Sequence, residues 1–319
     1  MEYNSDFQIK ILPQDLTEID ALKFPLINIE QKCFKPELRE AWKDKRELLY
    51  ASICALAYHN GVSVGECYAC ELSDEDTEGD MGKHYQAMID KYGKGNFIYG
   101  MSLGVLPKYQ GYDLAKRMKM AVLVECKRRG YQIYADHAKE GGSKHLQKYF
   151  GAEVIDKIDN WYGTGDTYYW CEIGLKNLYI IPVTPFKQET DYDCGIAALE
   201  VLLTYHKMKY DREEFSVAAT ISEGTTHANM LALLLGRGKS SVFTSVDVLK
   251  EKVISGHPCI LHVISPNVYE GHYLIVHGIS DQFIYTYDVY DGIFGRMSYE
   301  ELDRAWWNNI TKNQWGIAL

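Results

Sequence analysis

No apolar run approaches the ~18 residues that a membrane-spanning helix needs, so no such helix is expected. The first six residues, Met-Glu-Tyr-Asn-Ser-Asp, hold no apolar core of a secretory signal, and none is expected. Positive charge is short: the formal net charge is −10, which argues against a nucleic-acid surface and suits a basic peptide. Cysteine is sparse and scattered, eight in 319 residues, which excludes a disulfide scaffold. A reactive thiol among them would favour a reducing compartment, so the cytoplasm is expected. The pair Cys67-Tyr-Ala-Cys70 stands alone in a strand pattern, where positions i and i+3 face opposite ways, and no metal site is expected. Low-complexity tracts and internal repeats are missing too. What is present is 46% hydrophobic residues over a length that predicts two domains. The 25 tyrosines have no evident physical reason.

The first half alternates strand and helix patterns. Phe7–Leu12 predicts a strand, Pro13 opens a helix, and a second helical segment runs near Pro36 to Glu47. Leu49–His59 and Val62–Leu72 flank Asn60-Gly61, a strong hairpin signal. Ser73–Gly82 is acidic and predicts a loop. Phe97–Val105 predicts a strand, Leu114–Arg129 a helix, Gln132–Ala135 a strand and Ser143–Phe150 a helix. Val154–Ile158 and Thr167–Ile173 predict a closing hairpin. Leu175–Lys187, extended by Pro182 and Pro185, joins the halves. The expected domains are 1–175 and 176–319.

The second half carries the sharper chemistry. Gln188 lies six residues before Cys194, and Cys194-Gly195-Ile-Ala197 opens an amphipathic helical run. A thiol at a helix N-terminus meets unpaired N–H groups and the positive end of the dipole. Both favour the thiolate, which is the nucleophile. Gln188 can present a side-chain N–H to a developing oxyanion. Gly271-His272-Tyr-Leu-Ile-Val276 predicts a strand opening with histidine, and Phe283–Asp288 a strand ending in aspartate. His272 and Asp288, 16 residues apart on a strand–turn–strand, can meet on adjacent antiparallel strands. Cys194, His272 and Asp288 then supply nucleophile, base and orienter. A lone cysteine or histidine in such places is more often a core residue; the order of all three with Gln188 is what singles them out. His277 and Asp291 compete, but His277 faces the other side of its strand and Asp291-Gly292 reads as a turn.

These residues resemble the papain-like bacteriocin-processing (double-glycine) cysteine peptidase family over residues 180 to 319. The match is carried by Gln188 to Ala197, by His272-Tyr-Leu-Ile-Val, by Gly256-His-Pro258-Cys-Ile-Leu and by Met297–Trp306. The family follows its aspartate with proline; here Val289 follows Asp288. The resemblance implies a papain-like fold that cuts a peptide or amide bond without a metal. Family members often sit on export transporters and cut leader peptides after a double glycine. No transporter segment is read within this sequence, so that substrate is not expected to carry over automatically.

In the first half a strand feeds a tight turn and then a helix, Leu103-Gly-Val105-Leu-Pro-Lys-Tyr-Gln110-Gly111-Tyr112-Asp113-Leu114-Ala115. Main-chain N–H groups at such a helix start can bind a pyrophosphate. Turn and element order resemble the GNAT-type N-acetyltransferase fold over residues 5 to 175. The resemblance implies acetyl-CoA or another acyl-CoA held by Leu103, Val105 and Gln110 to Ala115. Two positions depart from the family. Asp113 replaces the central glycine, placing a carboxylate where phosphates would sit. Gln147 stands where the family places a tyrosine acid, with Tyr149 two positions on. Glu66, Glu71 and His137 are candidate bases that the sequence does not rank.

The expected fold class is α+β: a GNAT-like mixed sheet flanked by helices, followed by a papain-like cysteine peptidase fold. The expected protein is a cysteine peptidase acting on a peptide or protein substrate, fused to a domain that binds acyl-CoA or substrate. Three other readings use the same residues: an N-acetyltransferase whose second half binds substrate, a thiol acyl or peptidyl transferase, and a non-catalytic peptide-binding adaptor.

Overall fold

Asn60 and Gly61 both take positive φ, 50° and 78°, in the computed structural model of the chain. That geometry is what a two-residue hairpin of right-twisted strands requires, and asparagine and glycine tolerate it best. The structure describes residues 7–73, 79–220, 224–235, 240–264, 271–306 and 314–319. Two compact units divide the chain, Asp6–Asn177 and Leu178–Leu319.

The N-terminal unit runs β1 (Phe7–Ile11), α1 (Leu16–Ala21), α2 (Lys23–Cys33), α3 (Trp42–Ala51), β2 (Ile53–His59), β3 (Val62–Cys70), α4 (Gly79–Tyr92), β4 (Phe97–Val105), α5 (Leu114–Arg128), β5 (Ile133–Lys139), α6 (Gly142–Tyr149), β6 (Glu153–Ile158) and β7 (Tyr168–Gly174). Its seven strands form one sheet in the order β1-β2-β3-β4-β5-β7-β6. Every pairing is antiparallel except β4 with β5. That pair holds only from Phe97↔Ile133 to Gly100↔Asp136, although β4 continues to Val105 and β5 to Lys139. The two strands therefore part company half-way along, opening a wedge in the sheet. Helices cover both faces closely. A Cβ at Gly65 would meet Met118 of α5 at 2.9 Å, and one at Gly104 would meet Ile29 of α2 at 3.1 Å.

The expected strand at Leu49 begins later, at Ile53, because the good helix formers of 42–51 complete α3. The expected loop 73–82 is shorter than predicted: α4 starts at Gly79, while 74–78 lie outside the described residues. The acidic run hid the helix, whose apolar face carries Tyr85 and Met88.

The C-terminal unit runs β8 (Tyr179–Ile180), α7 (Cys194–Tyr205), α8 (Arg212–Ser216), β9 (Ala219–Thr220), β10 (Gly224–Thr225), α9 (His227–Leu234), β11 (Ser241–Phe243), α10 (Val246–Ile254), β12 (Cys259–Ile264), β13 (Gly271–Ile279), β14 (Phe283–Asp288), β15 (Phe294–Ser298), α11 (Tyr299–Ala305) and β16 (Trp315–Ala318). Its main sheet has the order β11-β16-β12-β13-β14-β15, with β8 also on β13. Helix α7 is buried from Cys194 through Leu203, so it forms the centre of this unit. Side-chain oxygens of Thr226, Ser245 and Ser298 cap α9, α10 and α11, and Ser298 with Glu301 closes a capping box.

Candidate active site

Helix α7 starts without a side-chain cap of its own, because Asp193 is used elsewhere. Its carboxylate accepts the Thr190 N–H at 3.0 Å and the Glu189 N–H at 3.3 Å, tying down the loop before the helix. Arg212 donates to the same carboxylate at 3.0 Å and also pairs with Glu189 and the buried Glu200. Cys194 is thus the first residue of a helix whose approach is fixed by ionic hydrogen bonds. It is 8% exposed. A Cβ at position 195 would lie 2.5 Å from Thr225 Cβ, so only glycine lets the helix start seat against β10.

His272 and Asp288 come from neighbouring strands. Leu274 is the residue directly opposite Asp288, which makes His272 the diagonal neighbour on the same face. Nε2 of His272 lies 2.6 Å from Asp288 Oδ1. The same oxygen accepts the Tyr290 N–H at 2.8 Å, so the carboxylate is held from both sides. Burial opposes a charge on His272, but hydrogen bonds and charge from Asp288 and Cys194 outweigh it, and the imidazole is raised from 6.5 to about 9. With Nε2 committed to Asp288, Nδ1 is the ring nitrogen left for the thiol.

Gln188 is anchored at both ends. Its backbone N–H donates to the Val289 carbonyl at 2.9 Å, which ties it to the residue after Asp288. Its side-chain amide donates to the Thr190 carbonyl at 2.7 Å. One amide hydrogen is used there and one remains. Of the competing residues, His277 is fully buried with its ring edge-on to Phe294 at 5.2 Å. Asp291 accepts the Ile293 N–H at 2.9 Å, the turn role its sequence suggests. The Asp193–Arg212–Glu200 clamp escaped the sequence reading; Asp193 immediately before the cysteine was the available signal.

In the N-terminal unit, a pocket of about 530 Å³ is lined by Leu103, Val105, Gln110, Gly111, Asp113, Leu114 and Ala115, together with Ser143 and Tyr149 of α6. Tyr112 is the expected cofactor residue that does not line it; its ring packs on Phe7 at 5.1 Å. Gly111 and Asp113 take φ of 89° and 54°, so aspartate adopts the left-handed conformation asked of the missing glycine. Lys116 sits 3.1 Å from the Asp113 carboxylate and offsets its charge. A second pocket, about 490 Å³, lies at the wedge between β4 and β5 and shares Leu103 and Ser143 with the first. Gln147, on its wall, is locked to Asp136 at 2.5 Å, and Lys119 completes that buried pair at 2.9 Å. Glu66, one of the candidate bases, is bound by Lys45 at 2.6 Å. Burial lifts its carboxyl from 4.5 to about 7 against the pull of Lys45. Glu71 instead accepts the Tyr131 hydroxyl at 2.7 Å.

Residues 183–312 match the Peptidase C39 family. The likeness to a cysteine peptidase seen in the sequence of the second half is borne out by that match, and it spans Gln188, Cys194, His272 and Asp288. No curated protein matches the chain. Solved structures of N-acetyltransferases and of a GNAT-like decarboxylase align with a little more than half its length. Arylalkylamine N-acetyltransferase 2 from Aedes aegypti is 11% identical with a TM-score of 0.44, covering 54% of this chain and 100% of its own. An agmatine N-acetyltransferase is 15% identical with a TM-score of 0.43, covering 53% and 100%. GphF, a GNAT-like decarboxylase solved with isobutyryl-CoA, is 15% identical with a TM-score of 0.41, covering 53% and 100%. The GNAT-like character of the first unit is carried by its own sheet order and by the wedge between β4 and β5. Among the described residues, no helix is long and apolar enough to cross a membrane, and no group of three or more His, Cys, Asp or Glu is placed to hold a metal.

Proposed function

We propose that the C-terminal unit is a cysteine hydrolase that cuts a peptide or amide bond with Cys194, His272 and Asp288. The observation that carries this reading is His272 hydrogen-bonded to Asp288 at 2.6 Å, with Cys194 at the start of α7 close enough to help raise the imidazole. The imidazole takes the thiol proton, and the resulting thiolate attacks the carbonyl. The Cys194 N–H and the remaining amide hydrogen of Gln188 meet the oxyanion. Imidazolium then protonates the leaving amine, and water clears the thioester. Asp288 keeps Nε2 protonated and the ring in line. In a peptide-cleavage assay Cys194→Ala should abolish turnover; full activity in that variant would sink the proposal.

A second reading belongs to the N-terminal unit, and its own observation favours it: the pocket formed by Leu103, Val105 and the Gln110–Ala115 turn. This unit binds acetyl-CoA or another acyl-CoA, with the pyrophosphate over the N–H groups that open α5. When bound, such a cofactor supplies an acyl thioester to the wedge between β4 and β5. Acetyl-CoA at concentrations well above its dissociation constant should raise the melting temperature of the full chain. An unchanged melting temperature at saturating ligand would remove this reading and leave the hydrolase intact.

A further inference from the structure

Behind the wedge of the N-terminal unit, four side chains from β4, β5, α4 and β6 form an unbroken line. The Tyr99 hydroxyl is 2.8 Å from His137 Nδ1, His137 Nε2 is 3.1 Å from His84 Nδ1, and His84 Nε2 is 3.1 Å from Asp156 Oδ2. Tyr99 and His137 line the wedge pocket. Asp156, at the far end, is about one-third exposed and also holds Lys83 at 2.9 Å. Indoles enclose the line: Trp170 stacks on His84 at 4.7 Å, and Trp161 lies 4.1 Å from His137.

The ends of this line set the tautomers. Lys83 and His84 hold the Asp156 carboxyl down to about 2, so it is an acceptor only. His84 must therefore donate from Nε2. With a neutral His84, its Nδ1 accepts, so His137 donates from Nε2 and accepts at Nδ1. Tyr99 then donates its hydroxyl proton and turns an oxygen lone pair to the pocket. Each of the two histidines gives one hydrogen bond outward and receives one from within. A proton delivered to the Tyr99 oxygen can then shift every proton one step. The excess charge comes to rest on His84, itself buried but paired with the partly exposed Asp156. It does not stay on His137, which burial and the neighbouring His84 push from 6.5 to about 3.

The geometry points to a proton relay, Tyr99–His137–His84–Asp156, that deprotonates an amine bound in the wedge pocket during acyl transfer from a CoA thioester. This inference rests on the acyl-CoA reading of the neighbouring pocket. The steps balance. An ammonium loses one proton into the relay, and the free amine attacks the thioester carbonyl. The C–N bond forms and the C–S bond breaks. The second amine proton passes to the departing CoA thiolate. The relay supplies a proton path that Gln147, lacking an acidic proton and fixed to Asp136, does not.

Two measurements on the full chain test this. Nitrogen-15 NMR of the imidazoles should find His137 protonated at Nε2 when His84 is neutral, switching to Nδ1 as His84 takes a proton. The charged and titratable groups facing the line are Asp156 and Lys83 at His84, with Asp136, Tyr162 and Cys70 acting on Tyr99. The switch reports the hydrogen-bonded line itself; the rates of the two variants separate a catalytic relay from a structural pair. Thiol release from acetyl-CoA is then followed with putrescine and tyramine as acceptors, and with water alone. Tyr99→Phe and Asp156→Asn should each slow release at least ~10²-fold while acetyl-CoA affinity is unchanged. Wild-type rates in both variants, or no tautomer switch, would overturn the relay. Failure to bind acetyl-CoA would instead remove the acyl-CoA reading, and the relay's catalytic role with it.

Discussion

Nε2 of His272 stands 2.6 Å from Asp288 Oδ1, and this bond decides which ring nitrogen faces Cys194. A histidine that donates from Nε2 offers Nδ1 to the thiol, and the carboxylate also stabilises the charged ring. Replacing Asp288 by alanine removes both effects while leaving Cys194 and His272 in place. Turnover in Asp288→Ala should fall about 10²-fold or more, with KM little changed, because the loss concerns orientation and charge in the reacting state. Steady-state kinetics on a cleavable peptide would decide it; a variant within threefold of the parent would mean that Asp288 does not orient the base.

The raised His272 sets the pH behaviour. The folded value, about 9, lies above the ordinary 6.5. Its contribution to stability is therefore fully present below pH 6.5 and is lost as pH rises through 9. The imidazolium proposed to protonate the leaving amine is lost over the same upper range. Activity should fall on an alkaline limb near pH 9, with a parallel drop in melting temperature. In Asp288→Ala that limb should move down toward 6.5. A limb that stays at pH 9 without the aspartate would show that Asp288 is not its cause.

Gln188 is held by its backbone to Val289 and by its amide to Thr190, so its position does not depend on substrate. A preorganised donor of this kind acts on the oxyanion more than on the ground-state carbonyl. Gln188→Ala should lower kcat about 10²- to 10³-fold with a small change in KM. A change confined to KM would reassign the residue to ordinary substrate binding.

Much of this site was legible because its members carry local signals. His272 and Asp288 lie on consecutive strands, so hairpin pairing alone brings them together. Gln188 and Cys194 are joined by one short loop. The Gln110–Ala115 turn was readable in the same way, as strand, turn and helix in sequence. What could not be read needed three-dimensional placement. His84 and Asp156 are 72 residues apart, and His84 sits on a helix whose start is masked by an acidic run. Arg212 reaches Asp193 across 19 residues from a five-residue helix that no periodicity marks. Composition names such residues as charged surface; only packing shows that Glu200 and Glu66 are buried and paired.

Asp113 gives the last test, because two effects at one residue oppose each other. Its left-handed conformation, φ 54°, favours glycine, and its carboxylate opposes the phosphates expected over the α5 N-terminus. Lys116, 3.1 Å away, already offsets part of that charge, so the penalty is modest. Asp113→Gly frees Lys116 for the phosphates and removes the like charge. Each such interaction at a helix start is worth about 0.3 to 1 kcal/mol. Acetyl-CoA should then bind the variant several-fold more tightly, and the gain should shrink as salt is raised. Isothermal titration at two ionic strengths would measure both. If the variant instead binds more weakly at either salt, Asp113 is a contact to the cofactor and not a substitute for the missing glycine.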